Sequence, residues 1–238
     1  MPRTDLPPPL SLPRAVFLHL APGVLLLAFY LLATPWLRKL GVPSAFALQV
    51  GLLVLVLPWM GAVLLRARRS EADVVPFRRP LSGWRYVVLG GGLFVWAVLV
   101  FATLGPWEYR LLANAFAWLP DWFWLNEDLS RYGRPALLTT WVLALVANGL
   151  ALPVVEELYF RGYLLPRMPG RRLVAIGAHV VLFSLYHLFT PWQNLTRIVA
   201  LVPLVAVVYW TENVYVGMIA HAGLNLLGVL EALPDVLG

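Results

Sequence analysis

The sequence predicts an all-α fold: a polytopic transmembrane helical bundle of about seven spans with one amphipathic segment at the membrane interface. Three observations carry this reading. Of 238 residues, 61% are hydrophobic and only 13% charged, whereas a soluble globular chain carries roughly 25% charge. Mean hydropathy is +0.77. Apolar runs of about 20 residues, the length needed to cross the hydrocarbon core, fill most of the chain, so it reads as a single membrane domain over 1–238.

The candidate spans are 15–37, 43–65, 84–104, 136–166, 172–190, 196–211 and 214–231. The first follows a Pro-rich leader, Met1 to Pro13, and lacks a small-residue cleavage site followed by a soluble domain. It is therefore expected as a retained span rather than a signal peptide. The glycines Gly90, Gly91 and Gly92 fall in the middle of the third, where they permit close helix packing. The fourth is longer than a simple crossing, and Pro153 is expected to kink it. The sixth is short.

Between the third and fourth spans, 105–134 mixes Trp107, Trp118, Trp122 and Trp124 with Glu108, Asp121, Glu127 and Asp128. Such mixing suits a piece anchored at the membrane surface. Gating of substrate entry is the sharper alternative.

Charge orients the bundle. The formal charge of +6 comes from 18 basic residues against 12 acidic ones. In a membrane chain such an excess points to topology rather than to nucleic acid. Arg66, Arg68, Arg69, Arg78, Arg79 and Arg85 cluster around the link between spans two and three, and Arg167, Arg171 and Arg172 around the link between spans four and five. Both links fall on one side if every span crosses, so that side is expected to be cytoplasmic, with the N-terminus inside and the C-terminus outside. The absence of cysteine removes disulfides, thiolate nucleophiles and Cys-based metal sites, and leaves the chemistry to Glu, His, Asn and Arg.

An ionisable side chain at the bilayer centre costs about 2.5–3.5 kcal/mol on insertion scales, so a cluster of them asks for a partner or a function. Span four places Glu156, Glu157 and Arg161 within six residues. Glu157 and Arg161, four apart, share a helix face and can form an ion pair. Glu156 points about 100° away from Glu157, free to face a cavity. Span five carries His187 four residues after Phe183. Span seven carries His221 and Asn225, again four apart and on one face. Counting ~1.5 Å per residue from the arginine-rich side, Glu156 lies about 20 Å deep, His187 about 27 Å and His221 about 10 Å. His179, His19 and Asn148 are expected as interhelical polar contacts. Phe183 is expected to shape the pocket wall, and Tyr159 either to pack or to reach the cavity beside Glu156.

The order E-E-x-x-x-R, F-x-x-x-H and H-x-x-x-N on three separate apolar helices resembles the CAAX protease and bacteriocin-processing (CPBP) family, which includes the type II CAAX prenyl endopeptidases. The similarity covers about 140–230, which is therefore expected to be the catalytic core. The resemblance implies an intramembrane endopeptidase in which Glu156 and His187 activate a water, Glu157 and Arg161 support Glu156, and His221 with Asn225 form an oxyanion hole. A carboxylate in a low-dielectric cavity suits the base, and side-chain N–H donors suit the developing oxyanion.

The expected partners are the lipid bilayer and a membrane-anchored protein or peptide substrate cut near its C-terminus. That substrate is a prenylated CAAX tail or a bacterial C-terminal sorting tail of the myxosortase-like branch, with bacteriocin maturation or self-immunity a further option. Prenyl endopeptidase members usually carry an eighth span, and this sequence stops soon after the third motif. That end and the lone lysine, Lys39, incline the expectation towards a bacterial, non-prenyl role in the cytoplasmic membrane. No cofactor is expected. If the enzyme used zinc, His187, His221 and Glu156 would be the ligands, but the H-E-x-x-H spacing of zinc peptidases is absent. Readings of another class are a proton-coupled transporter, since buried Glu, His and Arg also mark proton paths, and a non-catalytic membrane scaffold. The chain shows no internal duplication of the transporter kind.

Overall fold

The computed structural model describes residues 6–237; Met1–Asp5, the start of the Pro-rich leader, and Gly238 lie outside the described residues. Helices α1 (Leu12–Lys39), α2 (Ser44–Ala67), α3 (Gly83–Ala113), α4 (Arg134–Arg167), α6 (Pro191–Thr211, opening on a 3₁₀ turn) and α7 (Val214–Leu237, broken after Glu231) are long and apolar enough to cross a membrane. Helix α5 (Arg172–Tyr186) is apolar but has only 15 residues, about 22 Å at 1.5 Å per residue. The chain is an all-helical, multi-pass membrane protein.

Three proline-linked irregularities shape the spans. Helix α2 widens into a π-helical turn at Leu52–Val56 ahead of Pro58, and α4 does so at Leu145–Ala151 ahead of Pro153 and at Glu157–Leu164 ahead of Pro166. In each case the proline comes two residues after the wide turn. A proline has no N–H to donate, and its ring collides with the carbonyl four residues back. That carbonyl lies inside the wide turn each time, where i→i+5 pairing gives the ring room. The kink expected at Pro153 is thus expressed as a π-helical stretch.

The two ends of the bundle differ. At one end, Leu10 N–H donates to the Arg167 carbonyl at 2.9 Å, Val214 N–H to Phe77 at 2.9 Å, and Arg79 N–H to Glu212 at 2.9 Å. Arg167 is also paired with Glu71. The leader and the links α2–α3, α4–α5 and α6–α7 therefore meet there, and both arginine-rich links share that face, as expected from counting crossings.

The other end gathers the link α1–α2, residues 114–133 and the link α5–α6. Arg38 pairs with Glu127 at 3.2 Å, Tyr30 donates to the Trp122 carbonyl at 2.9 Å, and Trp124 stacks on Trp192 at 4.3 Å.

Two expected boundaries move around the interfacial segment. Span three runs to Ala113 rather than ending near 104, because Glu108 on its extension accepts from the amides of Leu195 and Thr196, both at 2.7 Å. The N-terminal amides of α6 thereby find an anionic acceptor, which also suits the helix dipole. The interfacial segment is correspondingly shorter, and its aromatics divide. Trp107 and Trp118 are exposed, whereas Phe123 is buried and Trp122 and Trp124 pack inward. Half of the expected surface anchor is therefore a plug over the bundle end.

Candidate active site

Helix α4 supplies the acids. Glu156 ends an α-helical stretch and Glu157 begins the π-helical one, and their side chains are 1% and 0% exposed. The Arg161 Nη1 lies 3.3 Å from Glu157 Oε1, with both side chains fully buried. The guanidinium also covers the Phe183 ring, with its carbon 3.9 Å from the ring centroid. The expected ion pair is present, and α5 gives its cation an aromatic face.

Helix α7 crosses this point with three residues spaced by four. His221 places Nδ1 3.0 Å from Glu157 Oε1 and Nε2 3.5 Å from Glu156 Oε2, so one imidazole bridges the two glutamates. One turn earlier, Gly217 lets the Glu157 carboxylate lie against the helix backbone: a Cβ there would collide with Glu157 Oε2 and meet its Cδ at 3.2 Å. One turn later, Asn225 donates through Nδ2 to the Asn148 carbonyl at 2.9 Å. Asn148 thus braces a site residue from α4, as well as being an interhelical contact.

His187 stands just past the end of α5, with backbone φ −82° and ψ 52°. The expected span to 190 ends four residues early, and the histidine leaves the helix as its cap. Its Nδ1 lies 3.0 Å from the Phe183 carbonyl. If Nδ1 carries the proton and donates there, Nε2 is left as an acceptor. The four-residue spacing of Phe183 and His187 thus has a backbone meaning besides ring packing at 5.0 Å between centroids.

Glu156, His187, His221 and Asn225 line one cavity of about 680 Å³. Glu157 and Arg161 stand behind it, Glu157 against His221 and Arg161 against Phe183, both of which line the cavity. The wall continues through Gln49, Leu125, Thr190, Gln193 and Glu231 to the bundle end opposite the arginine-rich links. His179 and His19 are elsewhere, paired with each other at 3.0 Å, and Tyr159 donates to the Leu18 carbonyl at 2.7 Å. All three act in packing.

Two residues here are absent from the sequence expectations. Arg197 on α6 is buried and lines the cavity. Its signal is a charge near the start of a run of apolar residues, masked by proximity to the predicted end of the span. Gly217 has a fainter one, the fourfold spacing that extends H-x-x-x-N backwards by a turn.

Among the described residues no three His, Cys, Asp or Glu side chains converge as metal ligands, and His221 is spread between Glu157 and Glu156 rather than joined with His187 around one point.

Residues 138–227 match the family model described as Type II CAAX prenyl endopeptidase Rce1-like. No curated protein and no solved structure matches the chain. The matched stretch contains every site residue from Asn148 to Asn225, so this segment of the chain is similar to that family over the whole of the site.

Proposed function

We propose that this chain is a glutamate-dependent intramembrane endopeptidase that hydrolyses a peptide bond near the C-terminus of a membrane-anchored protein. The observation that carries the reading is the convergence of Glu156, His187, His221 and Asn225, from three separate helices, on one cavity inside the bundle.

In this mechanism a water between Glu156 and His187 attacks the scissile carbonyl. Its proton passes to the Glu156 carboxylate or to His187 Nε2, both open to the cavity, and later reaches the leaving amine. The oxyanion is met by Nε2–H of His221 and by an Asn225 N–H that leaves its longer contact with Asn148 Oδ1 at 3.4 Å for the substrate. The 3.5 Å contact of His221 with Glu156 is long for a hydrogen bond, so a substrate oxygen entering the cavity can accept from Nε2–H while Nδ1 stays on Glu157. Glu157 and Arg161 act as positioning residues, the arginine holding Glu157 and Glu157 holding His221. Preorganised donors of this kind are each worth ~10²–10³ in kcat.

The cavity reaches the bundle end opposite the arginine-rich links. With those links in the cytoplasm, a substrate enters from the external side of a bacterial cytoplasmic membrane. That direction favours a C-terminal sorting tail over a cytoplasmic prenylated CAAX tail. The deciding experiment incubates purified protein with both kinds of tagged tail. Cleavage by the native protein and none by Glu156→Gln, with unchanged size-exclusion behaviour, is expected; full activity in that variant overturns the reading.

A further inference from the structure

Arg197 is a buried cationic residue of the cavity that the hydrolytic mechanism does not use. It sits on α6, 7% exposed, and its hydrogen bonds go to neutral oxygens: Nη1 to Asn194 Oδ1 at 3.2 Å, and Nη2 to Thr190 Oγ1 at 2.9 Å and Gln193 Oε1 at 3.3 Å. Among the described residues no carboxylate stands at ion-pair distance from it. Glu108, an electrostatic neighbour, is taken up by the amides of Leu195 and Thr196.

A guanidinium removed from water without an anion is costly, and its planar fork matches a carboxylate. Two of its partners complete a receptor. The Thr190 hydroxyl and the Gln193 amide accept from Arg197 through oxygen, which leaves the Thr190 O–H and the Gln193 N–H₂ able to donate, and both residues line the same cavity. The same cavity has apolar wall residues, among them Leu201, Leu204, Ala97 and Phe101. Arg197 is also an electrostatic neighbour of Glu156 and His187, so an anion held there lies close to the hydrolytic pair.

We infer that Arg197, with Thr190 and Gln193, binds the free terminal carboxylate of an apolar peptide tail, so that substrates are selected by their C-terminal charge. Selection during cleavage rests on the protease reading above, whereas the binding itself does not.

The probes are two dansylated peptides of sequence Ala-Leu-Val-Leu-Ala-Leu, one ending in a free acid and one in an amide. Binding to the full chain in zwitterionic nanodiscs at pH 7.5 is read by fluorescence anisotropy, and cleavage by mass spectrometry in parallel. The native protein is expected to bind the acid at least about tenfold more tightly than the amide, a difference of ~1.4 kcal/mol. Arg197→Gln should bind both forms as weakly as the native protein binds the amide, and Arg197→Lys should fall between.

Equal binding of acid and amide to the native protein overturns the proposal, as does a preference that survives in Arg197→Gln. If that variant does not fold, the native acid-to-amide comparison decides alone. An effect of the variant confined to discs containing phosphatidylglycerol assigns Arg197 to a lipid headgroup and equally overturns it. Acid-selective binding with no cleavage of any tail leaves the receptor standing and refutes the protease, whereas cleavage without acid preference does the reverse.

Discussion

His221 Nδ1 lies 3.0 Å from Glu157 Oε1, so the second of two adjacent glutamates is tied to a histidine on another helix. Glu157 carries two loads, the imidazole of His221 and the buried guanidinium of Arg161 at 3.3 Å. Glu157→Ala removes both, leaving a cation without its counter-charge inside the bundle. Breaking such a pair destabilises by ~3–5 kcal/mol, while replacing both partners with apolar residues of similar size is often neutral. Glu157→Leu combined with Arg161→Met should therefore recover most of the thermal stability lost in Glu157→Ala, yet stay inactive because His221 has lost its anchor. Melting curves in detergent and tail cleavage on the same samples check the two halves separately; recovered activity in the double variant would refute the anchoring role.

Gly217 makes the closest demand on backbone space at the site. A methyl group there must displace the Glu157 carboxylate, and Val208 Cγ2 at 3.1 Å blocks relief on the other side. Gly217→Ala should lower kcat by ~10²-fold, the scale on which small misplacements act, while the protein still inserts and folds. Gly91→Ala, where a Cβ meets nothing within 4 Å, serves as the control and should keep full activity.

The contrast between these glycines shows what was legible beforehand. Helix number, the shared side of the arginine-rich links and the pairing of Glu157 with Arg161 follow from hydropathy, charge and four-residue spacing, which are local properties of the chain. The placement of His221 between two glutamates does not, because it depends on which face of α7 meets the π-helical part of α4. Helical counting assumes 3.6 residues per turn, and that assumption fails where prolines widen α4. The end of α5 at Tyr186 was hidden in the same way: the residues after it are apolar enough to continue a span, but His187 caps the helix instead. Arg197 was in plain view yet sat too close to a predicted boundary to stand out as an intramembrane charge.

His187 makes its own prediction through the Phe183 carbonyl. With Nδ1 held there at 3.0 Å, the proposed mechanism gives its other nitrogen to the water rather than to the substrate's binding. His187→Gln should therefore depress kcat by ~10²–10⁴-fold, the range for general acid–base groups, with KM changed by less than about threefold. Because the mechanism routes no step through a metal, incubation with a strong chelator should leave cleavage unchanged. Loss of activity on chelation, with recovery on adding zinc, would show that the water is activated by a metal.

Glu127 ties the plug to the helices beneath it. Burial alone would raise its pKa, but hydrogen bonds from Ser44 and Tyr132 and the charge of Arg38 outweigh burial and hold it below the ordinary 4.5. The Ser44 amide donates to its Oε1 at 2.9 Å, and Arg38 Nε to Oε2 at 3.2 Å. A carboxylate whose folded pKa is depressed contributes stability that is fully present above its unfolded value and is lost as pH falls through the folded one. Glu127→Gln should thus be less stable than the native chain at pH 7 by ~1.5–3 kcal/mol, the worth of hydrogen bonds to a charged group. The gap in melting temperature should narrow as pH drops below 4.5 and close once the native carboxylate is protonated, when both side chains are neutral at that position. Melting curves of the two proteins between pH 7 and pH 3 check this. A gap that stays constant across the range would mean that Glu127 stabilises the plug by shape and neutral hydrogen bonding, independently of its charge.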